Sequence, residues 1–200
     1  MNQFFFWFKD NAEILLYEHD LNQNSIVIDA GAYEGNWSSK IYGKYQCNIF
    51  AYEPVKKHFL VLKEKMKIYK KIKVYNYGVG KIDQSIGVTL KGVQTSAVNQ
   101  ATDPDEIIKI KSIDKVEELK SANIDLFHIN IEGGEYDLLV AIIESSMVKK
   151  IKVLEVQFHE WYPTLKSSKN LREKIHQQLS NTHQLVYSYD FVWEQWSRIT

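Results

Sequence analysis

From Ser25 onward, short runs rich in β-branched and aromatic residues alternate with runs whose apolar residues recur at helical spacing. That alternation specifies an α/β chain with a mostly parallel sheet covered on both faces by helices, and it excludes all-helical bundles and all-β sandwiches. Strands are predicted over 25–29, 48–53, 72–77, 125–130 and 151–158. A helix carrying Phe59, Leu62, Met66 and Tyr69 falls between the second and third. Another starts near Glu135, with Leu138, Leu139, Ile142 and Ile143 facing the sheet, and a third covers 171–179. Runs 185–189 and 193–199 read as a closing hairpin-like pair. Between 84 and 110 the pattern is less regular: strand-like runs at 86–90 and 107–111 flank a polar stretch, 95–106, expected to be a mobile or substrate-facing loop.

The 200 residues are 44% hydrophobic, enough for a sizeable core and too apolar for a disordered chain. Lys plus Arg and Asp plus Glu both number 25, so the chain lacks the basic field of a nucleic-acid binder. Lys56, Lys57, Lys63, Lys65, Lys67, Lys70, Lys71 and Lys73 read as a solvated face, without the aromatic platform that single strands stack upon. The single cysteine, Cys47, forms neither an intrachain disulfide nor a cysteine zinc cage, which fits a cytoplasmic protein. At the start, Phe4, Trp7, Phe8 and Leu15 stand at helical spacing. Residues 1–24 are expected to form a helical lid packed on a 25–200 domain, a partner-docking or membrane-surface helix being the other reading. The aromatic run is too short for a signal peptide or a membrane span. Strand-like pattern persists to Thr200, so the chain also reads as one domain of a larger protein.

The chemistry begins at Asp29-Ala30-Gly31-Ala32-Tyr33-Glu34-Gly35-Asn36-Trp37, where a strand enters a glycine turn and then a helix. Such a turn sets backbone N–H groups and small side chains against a ligand at the carboxyl edge of the sheet. The spacing Gly31-xxx-Gly35 departs from the dinucleotide fingerprint GxGxxG, and a carboxylate at Asp29 opposes a diphosphate. By sign it suits a cationic ligand such as the amino group and sulfonium of S-adenosylmethionine. Glu53, 24 positions on and followed by Pro54, is placed to accept ribose hydroxyls or to cap the next helix. Tyr77-Gly78-Val79 suits an adenine edge or a simple glycine turn.

Four stretches together resemble the FkbM family of S-adenosylmethionine-dependent methyltransferases. They are Val27 to Gly35, Phe50 to Pro54, Ile124 to Glu135 and Val153 to His159. The third is the most specific: it keeps Asp125, Glu132, Gly133 and Glu135 of the family pattern, while His128 stands where the family usually has Lys and Asn130 where it has Asp. The resemblance implies a Rossmann-like class I methyltransferase fold, seven strands with the last antiparallel. It further implies O-methylation, most often of hydroxyls on sugars, lipids or polyketides, with S-adenosylhomocysteine as product. A sugar hydroxyl of a glycan or glycoconjugate is the expected acceptor.

Methyl transfer to an alcohol needs a residue to take the hydroxyl proton. His128, Asn130 and Glu132 alternate along one run and are expected to project together. Glu132 is the first candidate base and His159 the second, and Asn130 is a candidate hydrogen-bonding group for cofactor or acceptor. A helix cap for Glu132 and a surface hydrogen bond for His159 are the competing readings. A metal site of Glu132, Asn130 and His159 is chemically open, but no dense carboxylate cluster marks one, so no metal is expected to be required. Trp161, Tyr162, Tyr187, Tyr189, Phe191, Trp193 and Trp196 either line a sugar groove or pack in the core. Two other functions fit the same turn: a non-catalytic cofactor-binding module, to which the departures at His128 and Asn130 point, and an NAD-dependent oxidoreductase, which the missing GxGxxG opposes.

Overall fold

The structure is a computed structural model and describes residues 3–89, 104–121, 123–160 and 164–199. In chain order the strands are β1 (Ile26–Ala30), β2 (Asn48–Tyr52), β3 (Ile72–Tyr75), β4 (Gly78–Gly80), β5 (Gln84–Val88), β6 (Glu106–Ser112), β7 (Ile124–Ile129), β8 (Ile151–Val156), β9 (His183–Tyr189) and β10 (Trp193–Arg198). The helices are α1 (Gln3–Lys9), α2 (Asn36–Tyr45), α3 (Lys56–Met66), α4 (Glu117–Ser121), α5 (Glu135–Glu144) and α6 (Leu165–Leu179). Seven strands make one sheet in the order β3-β2-β1-β7-β8-β10-β9. The first five of these pair in parallel, and β10 runs antiparallel to both its neighbours. This is the class I methyltransferase arrangement.

Both faces of the sheet are covered, which is why its strands are nearly continuous apolar runs. Ile28, Ala30, Phe127 and Ile129 pack with Leu138, Leu139 and Ile142 of α5. The alternate residues Val27, Ile49 and Leu126 pack on the other face with Ile41 of α2 and Leu62 and Met66 of α3. Helix α6 begins six residues before the predicted start at 171 because Thr164 caps it, its hydroxyl accepting the Ser167 N–H at 3.2 Å.

Runs 86–90 and 107–111 become β5 and β6, which with β4 form a separate three-stranded sheet in the order β4-β6-β5. Its apolar face packs Ile86, Val88 and Ile108 onto Val55. Most of the polar stretch expected to face substrate, 95–103, lies outside the described residues, as do Trp161 and Tyr162.

At the amino end, α1 is only seven residues long and gives way to a 3-10 turn over Ala12–Tyr17. Trp7, Ala12 and Leu16 are buried against Val192 and Trp193, and the Trp7 ring meets Tyr189 edge-on at 5.1 Å. Of the predicted apolar stripe, Trp7 is buried and Leu15 packs against its cluster, while Phe4 is 47% and Phe8 70% exposed, because the short helix offers the sheet one side chain, Trp7. Among the described residues, no helix is long and apolar enough to cross a membrane.

Candidate active site

The strand order reverses between β1 and β7, and there the carboxyl ends of β1, β2 and β7 open into a cleft of about 650 Å³. Its wall includes Gly31 and Tyr33 after β1, Glu53, Pro54 and Val55 after β2, Gly78 and Val79 of β4, and Asn130 to Gly134 after β7. Ile86, Ile108 and Ile110 of the small sheet close one side. The backbone is forced into close quarters: Gly31 has φ +86, and a Cβ there would stand 1.9 Å from the Asn130 carbonyl oxygen. Tyr33 (φ 50) and Glu132 (φ 52) hold the same left-handed conformation without being glycine, strain of the kind found at functional sites.

Glu53 is 5% exposed and accepts the Tyr33 N–H at 2.9 Å and the Val55 N–H at 2.8 Å. It therefore ties the β1 turn to the start of α3, and each oxygen keeps a second lone pair for a ligand. Burial pushes its carboxyl up to about 7. Asn130 follows β7 with its N–H on the Ala30 carbonyl, and its Oδ1 is buried with no hydrogen-bond partner among the described residues. His58, from the first turn of α3, also lines the cleft and packs on Tyr33 at 4.2 Å. Burial holds its imidazole below the usual range.

Other residues expected around the ligand stand elsewhere. The Gly31 and Ala32 N–H groups both donate to the Tyr52 carbonyl at 3.0 Å, so they do not point into the cleft. Ala30 and Ala32 are core residues on opposite faces of the sheet. Gly35 fits beneath α3, where a Cβ would be 2.4 Å from Met66, and Asn36 accepts a hydrogen bond from Lys65 at 2.7 Å. Tyr77 packs with Tyr52 and Tyr75. Trp37 turns under the amino-terminal segment, its indole N–H donating to the Leu16 carbonyl at 3.0 Å.

Asp29 and His128 lie behind the turn and not in the cleft wall. The parallel register sets Asp29 beside His128 and His128 beside Glu155, so three polar side chains share one face of the sheet. All three are at most 4% exposed. The His128 ring is stacked between Trp37 at 3.9 Å and Trp193 at 4.8 Å, and its Nδ1 meets Glu155 at 2.7 Å. Burial holds His128 well below, and Glu155 well above, their ordinary values. His128 thus points to the opposite side from a reacting group, because strand alternation sends residue 128 toward the amino-terminal segment while the chain after Ile129 leaves the sheet and frees Asn130 and Glu132 for the cleft.

Glu132 lines the cleft, and His159 and Glu135 come together beside it. His159 Nε2 is 3.4 Å from Glu132, and Nδ1 is 3.2 Å from the fully buried Glu135. Burial pulls the His159 value down, but the hydrogen bond and charge of Glu135 and the charge of Glu132 outweigh it, and the net shift is upward. Burial also raises Glu132. Glu135 and His58 carried no role in the sequence reading; the motif Glu132-Gly-Gly-Glu135 was the available signal for the first, and none marked the second. Among the described residues, the carboxyl-terminal aromatics form no wall of this cleft: Trp193 and Trp196 are buried, and Tyr187 and Tyr189 pack on Trp7. Among the described residues, no group of three or more His, Cys, Asp or Glu side chains is arranged to hold a metal ion.

An FkbM methyltransferase from Methylobacillus flagellatus superposes with a TM-score of 0.59 at 15% identity, covering 90% of this chain and 44% of that one. The chain thus spans less than half of that protein's length. A candidate methyltransferase from Streptococcus mutans, in complex with S-adenosylhomocysteine, gives 0.57 at 11% identity over 95% of this chain and 97% of the other. An rRNA methylase from Streptococcus thermophilus gives 0.55 at 10% identity, with 94% and 95% covered. At these identities the structures speak for the fold. Among curated proteins no sequence matches. A family profile described as a methyltransferase FkbM domain matches residues 29–189, most of the chain, and so the chain belongs to the FkbM methyltransferase family.

Proposed function

We propose that this protein is an S-adenosylmethionine-dependent O-methyltransferase whose acceptor is a sugar hydroxyl. The observation that carries the reading is that Glu53 and Glu132 line one cleft, with His159 Nε2 3.4 Å from Glu132. When bound, S-adenosylmethionine supplies an electrophilic methyl group on a sulfonium. The residues present fit it: Glu53 offers carboxylate lone pairs to ribose hydroxyls, and Pro54, Val55, Val79 and Ile110 make an apolar slot for a purine. The amide of Asn130, its oxygen buried with no partner among the described residues, matches a polar group of a bound ligand.

The Glu132–His159 pair provides the proton acceptor that an alcohol requires. Glu132 and Asp137 bring carboxylates to the cleft wall, and Lys81, which also lines it, is paired with Glu144 at 3.0 Å. Such a wall accepts hydrogen bonds from neutral polyols and disfavours an anionic acceptor. The choice of a sugar over another neutral alcohol rests on the family.

Calorimetry with S-adenosylhomocysteine tests the cofactor. We expect binding that Glu53→Ala weakens at least tenfold, as the loss of a hydrogen bond to a charged group, worth about 1.5–3 kcal/mol, requires. Preference for NAD would overturn the assignment. For the acceptor, a panel of mono- and oligosaccharides is assayed for methyl transfer, and Glu132→Gln is compared in single turnover. Transfer confined to non-sugar acceptors would sink the sugar reading.

A further inference from the structure

We propose that Glu135 is the positioning residue of this site: from the first turn of α5 it fixes His159 with Nδ1 turned inward as a hydrogen donor, leaving Nε2 as the atom that receives the acceptor's proton. The proposal rests on the methyltransferase reading and deepens it by choosing between the two candidate bases.

The geometry is a three-point grip. Glu135 Oε1 accepts the His159 main-chain N–H at 2.7 Å and lies 3.2 Å from Nδ1 of the same residue. Its other oxygen accepts the Gly133 N–H at 2.8 Å, which holds the left-handed Glu132-Gly133 turn (φ 52 and 103). The next residue, Tyr136, donates its hydroxyl to the His159 carbonyl at 2.7 Å. Consecutive residues of α5 therefore hold both main-chain polar atoms of His159, so ring and cleft keep one relative orientation.

Glu135 is 0% exposed, and each of its carboxyl oxygens accepts a main-chain N–H. A carboxylate only accepts hydrogen bonds, so the imidazole nitrogen facing it must carry the proton. In neutral His159 that puts the lone pair on Nε2, which lies 3.4 Å from Glu132, a residue of the cleft wall. In the reaction the hydroxyl proton passes to Nε2 as the oxygen bonds the methyl carbon and the carbon–sulfur pair stays on sulfur. The positive charge lost from the sulfonium reappears on an imidazolium between Glu132 and Glu135. A carboxylate on each side of the ring stabilises that charge as it forms.

The test is nitrogen NMR of the whole protein labelled at its six histidines, with His159 assigned by its disappearance in His159→Gln. The expected result is a neutral His159 protonated on Nδ1, with a titration midpoint above that of an ordinary imidazole. In Glu135→Gln the midpoint should fall, because burial then acts against a weaker opposing charge. An Nε2-protonated neutral form, or an unchanged midpoint in Glu135→Gln, would overturn the proposal. If Glu135→Gln fails to fold, the wild-type tautomer decides by itself. Calorimetry with S-adenosylhomocysteine on the same samples separates the two readings. The expected tautomer without cofactor binding defeats the methyltransferase reading and the role of Nε2 with it; binding with the wrong tautomer defeats this proposal alone. Once an acceptor is in hand, kcat/KM should decline on the acid side through the His159 midpoint, and His159→Gln should cost about 10²- to 10⁴-fold.

Discussion

Replacing Asp29 by Asn should change how the fold's stability depends on pH. Asp29 is 1% exposed; the Ser38 hydroxyl donates to one oxygen at 2.5 Å, and the other has no partner among the described residues. Burial raises its carboxyl from 3.8 to about 7. A carboxyl with a folded value above its unfolded one binds more protons in the native state, so the stability it contributes is present at low pH and lost as pH rises from about 4 to about 7. At about 1.4 kcal/mol per unit, the part of that window above pH 5 is worth roughly 3 kcal/mol, as an order of magnitude. Asn keeps the shape and has no proton to lose. Urea unfolding of the ligand-free proteins at pH 5 and pH 8 should show the wild type losing about 3 kcal/mol more than Asp29→Asn over that interval. Glu53, also raised to about 7, titrates in both proteins, and because burial is the largest cause of its shift and the Asp29 charge a smaller one, most of its contribution cancels in the comparison. Parallel pH profiles would refute the reasoning.

Gly31→Ala should lower the urea midpoint, because a left-handed alanine costs about 1–2 kcal/mol before the 1.9 Å approach to the Asn130 carbonyl is relieved; an unchanged midpoint would mean the turn adapts. Trp7→Ala should undock the amino-terminal segment, since Trp7 is the side chain of α1 that is buried, and truncating a buried tryptophan costs about 3–5 kcal/mol. Hydrogen exchange should then show residues 3–17 losing protection while β1 and β7 keep theirs, and full protection of the segment would contradict the packing account.

The α/β layering was legible because each strand of the main sheet is a short β-rich run bounded by polar residues, and the apolar spacing of α5 points three of its four predicted residues into the core. Glu53 was legible for a local reason: an acid that ends a central parallel strand emerges at the carboxyl edge wherever the neighbouring strands lie. The small sheet was not, since β4 is three residues long and pairs with β6 across the stretch 81–105. Local pattern carries no record of such a pairing.

The same distinction divides the site. Period-two alternation predicts that residues 128, 130 and 132 share a side, and it holds only while the chain stays in the sheet. Strand β7 ends at Ile129, so His128 remains on the face beneath the amino-terminal segment and is enclosed by Trp37, Trp193 and Glu155, which come from three distant parts of the chain. Glu132 and Glu135 stand three residues apart and look alike as helix-start acids. What separates one at the cleft from one clamped on His159 is the pairing of β7 with β8, which brings His159 across from a position 24 residues beyond Glu135. The sequence by itself determined the order of elements, the family and the acid at the end of β2. Only the tertiary structure decided which polar side chains meet, because hydrogen bonds and burial depend on distances set by strands that are remote along the chain.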